Sequence, residues 1–100
     1  MATEQVVEQH VRGAMAARQQ GDPARELELL EAALRLAPGN PLALNARGMR
    51  ALADRDFTRA ASCFEAAHAA DPREPALLMN LATAWRGAGD AAAERRALEA

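Results

Sequence analysis

The sequence contains no tyrosine and no isoleucine, and its only valines are Val6, Val7 and Val11. Aromatic residues make up 3% of the chain. Residues that favour strands are therefore scarce, which argues against a sheet. Cys63 is the sole cysteine. It can form no internal disulfide, and one thiol makes no metal site. No apolar run approaches the ~20 residues that a membrane span needs. The opening MATEQVVEQH lacks the basic start and apolar stretch of a secretory leader. Basic residues are not in excess: 12 Lys+Arg stand against 14 Asp+Glu, for a formal net charge of -2. Binding to a nucleic-acid backbone or a membrane surface is disfavoured on that ground. These absences predict a cytoplasmic protein.

What the chain does have is alanine and a repeat. Half of it is hydrophobic, and much of that half is alanine, the best helix former and a small enough side chain to let helices approach closely. Pro38 recurs as Pro72, an offset of 34 residues, and the register holds throughout. Gly21-Asp22 falls on Arg55-Asp56 and then on Gly89-Asp90. Leu30 falls on Phe64 and Leu98, Ala33 on Ala67, and Leu44 on Leu78. Each period carries two helices with marked ends. Asp22, Asn40 and Asp56 are N-cap acceptors, while Pro23, Pro41 and Pro75 sit at first helical positions, where a missing N–H costs nothing. Gly39 is expected at positive φ in the stop that follows the second helix. The signals predict six helices, near 3–20, 23–37, 41–54, 57–70, 75–88 and 91–100. Leu27, Leu30, Ala33 and Leu34 form one apolar stripe. Phe57, Ala60, Ala61, Phe64 and Ala67 form the equivalent stripe, and Leu77, Leu78, Leu81, Ala82 and Trp85 a third. Short connections make neighbouring helices antiparallel.

A 34-residue helix-turn-helix period with these residues resembles the tetratricopeptide-repeat (TPR) family. The fold expected from that resemblance is all-α: a right-handed solenoid of antiparallel helix pairs, with residues 1–100 as a single domain. Repeat 2, residues 41–74, is the best match, with Leu44, Gly48 at the helix crossing, Asp56-Phe57 in the turn, Ala60, Phe64, Ala67 and Asp71-Pro72. Repeat 1, residues 7–40, is degenerate. It has His10 at the tryptophan position, Gly13 at the usual leucine and Ala17 at the usual tyrosine. Repeat 3, residues 75–100, is incomplete. It keeps Leu78, Leu81, Ala82 and Trp85, and carries Glu94 where alanine is expected, as repeat 1 carries Glu26. A finer resemblance, through Asn80–Asp90 and Glu94–Leu98, is to the TPR segment that precedes bacterial aspartyl/asparaginyl β-hydroxylase-type domains. Those domains depend on iron and 2-oxoglutarate, and their metal-ligand sequence is not in these 100 residues.

No set of residues suggests catalysis or a cofactor. His10 and His68 lack neighbours at ligand spacing and read as boundary histidines. Cys63, beside Phe64, reads as a packed thiol. Glu4, Glu8, Glu26, Glu28 and Glu31 read as solvated helix faces, Arg95-Arg96 as compensation of a helix C-terminus, and Gly87-Ala88-Gly89 as a helix stop. The chain is therefore expected not to be an enzyme.

The resemblance implies a concave groove lined by fixed positions of the first helix in each pair. Those positions carry Val11, Arg12, Met15 and Arg18 in repeat 1. In repeat 2 they carry Leu42, Asn45, Met49 and Leu52, and in repeat 3 Met79, Asn80, Thr83 and Arg86. Methionine is adaptable and over-used on promiscuous binding surfaces, and an asparagine can bond a peptide amide in both directions. The clamp with which some TPR grooves hold acidic chaperone tails is missing, because its positions carry Val11, Met15, Ala46, Ala76 and Asn80. The expected function is recognition of a peptide or partner segment. The alternatives are an accessory segment of a larger enzyme, such as the hydroxylase above, and a self-associating scaffold. One more period would put the next closing turn past Ala100. The chain therefore reads as a piece of a longer protein, or else as a homodimer in which a second copy covers the open C-terminal end.

Overall fold

The computed structural model describes residues 2–89 and 98–99. Five helices follow in order: α1 (Thr3–Gln19), α2 (Pro23–Leu36), α3 (Pro41–Ala53), α4 (Phe57–Ala70) and α5 (Pro75–Gly87). Their ends fall within a residue of the predicted ones. The sixth predicted helix lies mostly outside the described residues; Leu98 and Glu99 are helical and exposed.

The helix starts are built as the sequence implies. Asp22 accepts from the backbone N–H of Arg25 at 3.0 Å, Asn40 from that of Ala43 at 3.0 Å, and Asp56 from that of Arg59 at 3.2 Å. Each bond satisfies a donor that the helix leaves unpaired. Glu74 does the same for Ala76, and the proline at N1 of α2, α3 and α5 gives up no bond.

One expectation about the turns is corrected. Gly39 does not adopt positive φ. The left-handed positions are Gly21 (φ 74), Arg55 (φ 60) and Gly89 (φ 80), which share one place in the 34-residue period. The reason lies in the hydrogen bonding. The Ala37–Asn40 turn closes with the Asn40 N–H donating to the Ala37 carbonyl at 3.1 Å. The equivalent turn, from Asp71 to Glu74, closes in the same way with Arg73 in the place of Gly39. A turn that takes arginine there has no need of a left-handed residue.

The helices of a pair pack heavily, α1 on α2 and α3 on α4, and α4 packs nearly as heavily on α5. Contact between α2 and α3 is much lighter. Two features explain the difference. The second pair is filled by Phe64, which is fully buried with Ala51, Ala60, Leu81 and Ala84, while Met49, Leu52, Ala61 and Trp85 pack around them. Gly48 lets that ring in, since a Cβ there would lie 2.6 Å from it. Gly87 similarly faces the ring of Phe57. Where the first pair meets α3, the cluster is of smaller residues: Val7, Val11, Ala33 and Ala43. Trp85 is partly buried against this α3–α5 core; the last helix, against which it was also expected to pack, is outside the described residues.

Candidate functional site

A cleft of about 640 Å³ opens between α1 and α3. Its apolar walls are Val11, Ala14 and Met15 from α1 and Leu42, Ala46 and Met49 from α3, with Leu30 of α2 below. Arg18, Gln19, Asn45, Asn80 and Glu26 supply the polar atoms. Clefts of this size and balance are typical of binding sites.

The twelve residues predicted for the groove divide. Val11, Met15, Arg18, Leu42, Asn45, Met49 and Asn80 line the cleft. Val11 does so from the core, at 2% exposure, so it forms floor and not rim. Met15 at 58% and Leu42 at 47% present exposed apolar surface. Arg12, Leu52, Met79, Thr83 and Arg86 lie outside this cleft. Arg12 approaches Glu8 on the same helix, at 4.0 Å. Leu52 packs into the α3–α5 core, and the Thr83 hydroxyl donates to the Met79 carbonyl at 3.0 Å. The two asparagines join across helices, with Nδ2 of Asn80 donating to Oδ1 of Asn45 at 2.8 Å.

Glu26 and Leu30 were missed because the sequence reading considered only the first helix of each pair. For Glu26 a signal existed: it occupies the place that Ala60 fills one period later. Expected to belong to a solvated face, it is in fact 2% exposed. Arg50 makes this burial tolerable. Its Nη1 donates to Oε1 of Glu26 at 2.8 Å, while its Nη2 and Nε donate to Asp54 at 2.6 and 3.3 Å. Hydrogen bonds to Asp54 and Glu26 push the Arg50 guanidinium further up from its already high ordinary pKa. The same Arg50 bonds hold the Asp54 carboxyl below the usual range.

Among the described residues, no three His, Cys, Asp or Glu side chains are grouped to hold a metal ion. Cys63 is half-buried; burial pushes its thiol up, opposed by the charges of Arg47 and Arg59. Nδ1 of His68 is enclosed without a partner. No helix among the described residues is long and apolar enough to cross a membrane.

Among curated proteins, none matches the chain. Two solved structures are similar. A crystal structure of the APC/C hetero-tetramer Cut9–Hcn1 has a TM-score of 0.78 and 25% identity, over 90% of this chain and 19% of that one. A mutant O-GlcNAc transferase from Thermobaculum terrenum also has a TM-score of 0.78, with 21% identity, over 97% of this chain and 20% of the transferase. The chain thus spans about a fifth of the length of the solved chains it matches. The family model described as tetratricopeptide repeat matches residues 11–41 and 45–100. With the helix pairs, the crossing at Gly48 and the repeated turns, that match makes the chain a member of the tetratricopeptide-repeat family.

Proposed function

We propose that the chain is a protein-binding module, acting in the cytoplasm, that receives a peptide or partner segment in its concave cleft. The observation that carries this reading is the exposed apolar surface of Met15 and Leu42 beside the Asn45–Asn80 pair. Apolar area supplies affinity, and amides with unused donors and acceptors fix a peptide backbone. The similar Cut9–Hcn1 structure is of a hetero-tetramer, and a part in an assembly suits this reading. The module is taken as one domain of residues 1–100, with repeats at 7–40, 41–74 and 75–100. The accessory-segment alternative has one point in its favour: the similar transferase is an enzyme by its title, and the chain spans only 20% of it. Neither structure is titled a hydroxylase.

Capture experiments with Met49→Glu combined with Asn80→Ala test the cleft. The double variant is expected to lose the native partner while its helicity stays at the wild-type level. An unchanged set of captured partners would defeat the concave-face assignment.

A further inference from the structure

We propose that the groove takes an extended partner segment of mixed charge, with an acidic side chain on Arg18 and a basic one, about five residues away, on Asp71 and Glu74. This inference rests on the concave-cleft reading and adds the chemistry of the occupant.

The groove is longer than the cleft between α1 and α3. A second hollow, of about 390 Å³, lies at the starts of α3 and α5, with Leu42, Asn45, Ala76, Asp71 and Glu74 in its lining. Leu42 and Asn45 line both hollows, so the two adjoin on α3.

Helix register gives the length. Val11 and Asn45 are one 34-residue period apart, as are Met15 and Met49, and all four line the first cleft. Helices α1 and α3 therefore run side by side in that register. Arg18 stands one period before Leu52, which lies ten residues beyond Leu42. Ten residues of helix rise about 15 Å. An extended segment covers that distance in about five residues.

The two ends differ in sign. At the first, Arg50 bonds both Glu26 and Asp54, and the charge of Arg47 also acts on Asp54. Two carboxylates thus meet two guanidiniums, and that group is neutral as a whole. Arg12 and Glu8, beside the cleft, face one another. Asp22 is engaged with the Arg25 N–H at the start of α2 and is not in the lining. Arg18 remains: it lines the cleft, is exposed and forms no ion pair among the described residues. At the other end Asp71 has no ion pair among the described residues either, and Glu74 spends one oxygen on the Ala76 N–H. Arg73 stands between the two in the chain, pairs with neither and is absent from the lining. One negative charge is in excess there. A segment of a single sign gains at one end and loses at the other, whereas one of mixed sign gains at both.

The middle of the groove favours an extended backbone. A helical occupant keeps its amides bonded to itself. An extended one offers them to Asn80 and to Asn45, which lines both hollows.

The test uses three N-acetylated, C-amidated peptides of one alanine–leucine sequence. The first carries glutamate and lysine five positions apart, the second carries them side by side, and the third has glutamine at both places. All three have zero net charge, so overall attraction is equal. Binding is followed at low salt through the methyl resonances of Met15 and Met49. The first peptide is expected to bind about tenfold tighter than the other two. Arg18→Gln, and separately Asp71→Asn with Glu74→Gln, are each expected to weaken it about threefold and to leave the glutamine peptide unchanged. Glutamine at 74 keeps the acceptor for Ala76, and should a variant fail to fold, the three peptides on the wild-type protein still decide. A loss confined to one end would overturn the two-ended segment. Met15→Gln combined with Leu42→Gln, both at exposed positions, is expected to weaken all three peptides. Equal affinity for the three, weakened together by this double variant, would overturn the charge pairing and leave the cleft reading standing. Equal affinity that it does not change would overturn both. Absence of binding by the first peptide would overturn the charge pairing. Sedimentation of the protein alone is expected to show a monomer; a dimer that the first peptide cannot displace from Met15 and Met49 would give the groove to a second copy and overturn the proposal.

Discussion

Arg50 reaches back 24 residues to bond Glu26 at 2.8 Å, joining α3 of the second helix pair to α2 of the first. Both side chains are largely enclosed, at 13% and 3% exposure. Removing one partner of such a pair strands the other charge, whereas replacing both with apolar residues can be nearly neutral. Arg50→Met alone is expected to cost about 3 kcal/mol, and Glu26→Leu with Arg50→Met to recover most of that loss. Urea denaturation of the two single variants and the double measures the coupling. Additive losses would show that the bond holds nothing together.

Crowding at the crossing of α3 and α4 sets a second prediction. Ala67 and Phe64 are fully buried, and a Cβ at Gly48 would lie 2.6 Å from the Phe64 ring. Gly48→Ala and Ala67→Leu are each expected to destabilise by about 1–3 kcal/mol through overpacking. The first would otherwise stabilise a helix interior, by about 1 kcal/mol, so its sign is informative. A gain in denaturation midpoint for Gly48→Ala would mean that the crossing is looser than described.

Arg55 holds φ 60 where the other periods have glycine. Its guanidinium lies 5.6 Å from the centre of the Phe57 ring, a contact that offsets some of the strain. Arg55→Ala keeps the left-handed strain and loses the contact. Arg55→Gly loses both. The glycine variant is therefore expected to be more stable than the alanine variant by about 1 kcal/mol. Thermal melts of the two decide it, and equal midpoints would contradict the left-handed assignment.

Acid should weaken the fold in part through Asp54. Its carboxyl is held below the ordinary value by Arg50, so the folded state binds a proton less readily than the unfolded chain. The resulting stability is fully present above the unfolded aspartate value, about 3.9, and is lost as pH falls through the lower folded value. Asp54 is more than half exposed, so the effect is small and falls with added salt. In acid titrations, Asp54→Asn is expected to flatten the drop below about pH 4. An unchanged slope would assign the acid response to other carboxylates.

The helices were legible because their ends are written locally. Asp22-Pro23, Asn40-Pro41 and Glu74-Pro75 each combine an acceptor with a proline that fits only the first turn. The family resemblance made the crossing at Gly48 legible as well, and the structure puts Phe64 against it. The site was less so. Seven of the residues that the family resemblance implied meet in one cleft, drawn from α1, α3 and α5. Leu52 is of the same set, but the large residues of α4 and α5 draw it into the core. Glu26 was read as solvated because nothing in its own helix announces the partner, which lies one repeat away in Arg50. Gly39 misled for a related reason: glycine permits positive φ without requiring it, and only the hydrogen bonds of the turn decide.

The light contact between α2 and α3 has a mechanical consequence. An array of stacked helix pairs bends most easily where its layers adhere least, and here that line runs beneath the cleft. Flexing the first pair away from the second spreads Met15 from Met49, and flexing it inward draws them together. A segment seated between the two walls would work as a strut and stiffen the whole array. Tension on whatever flanks α1 and α5 would be felt first as a change in grip.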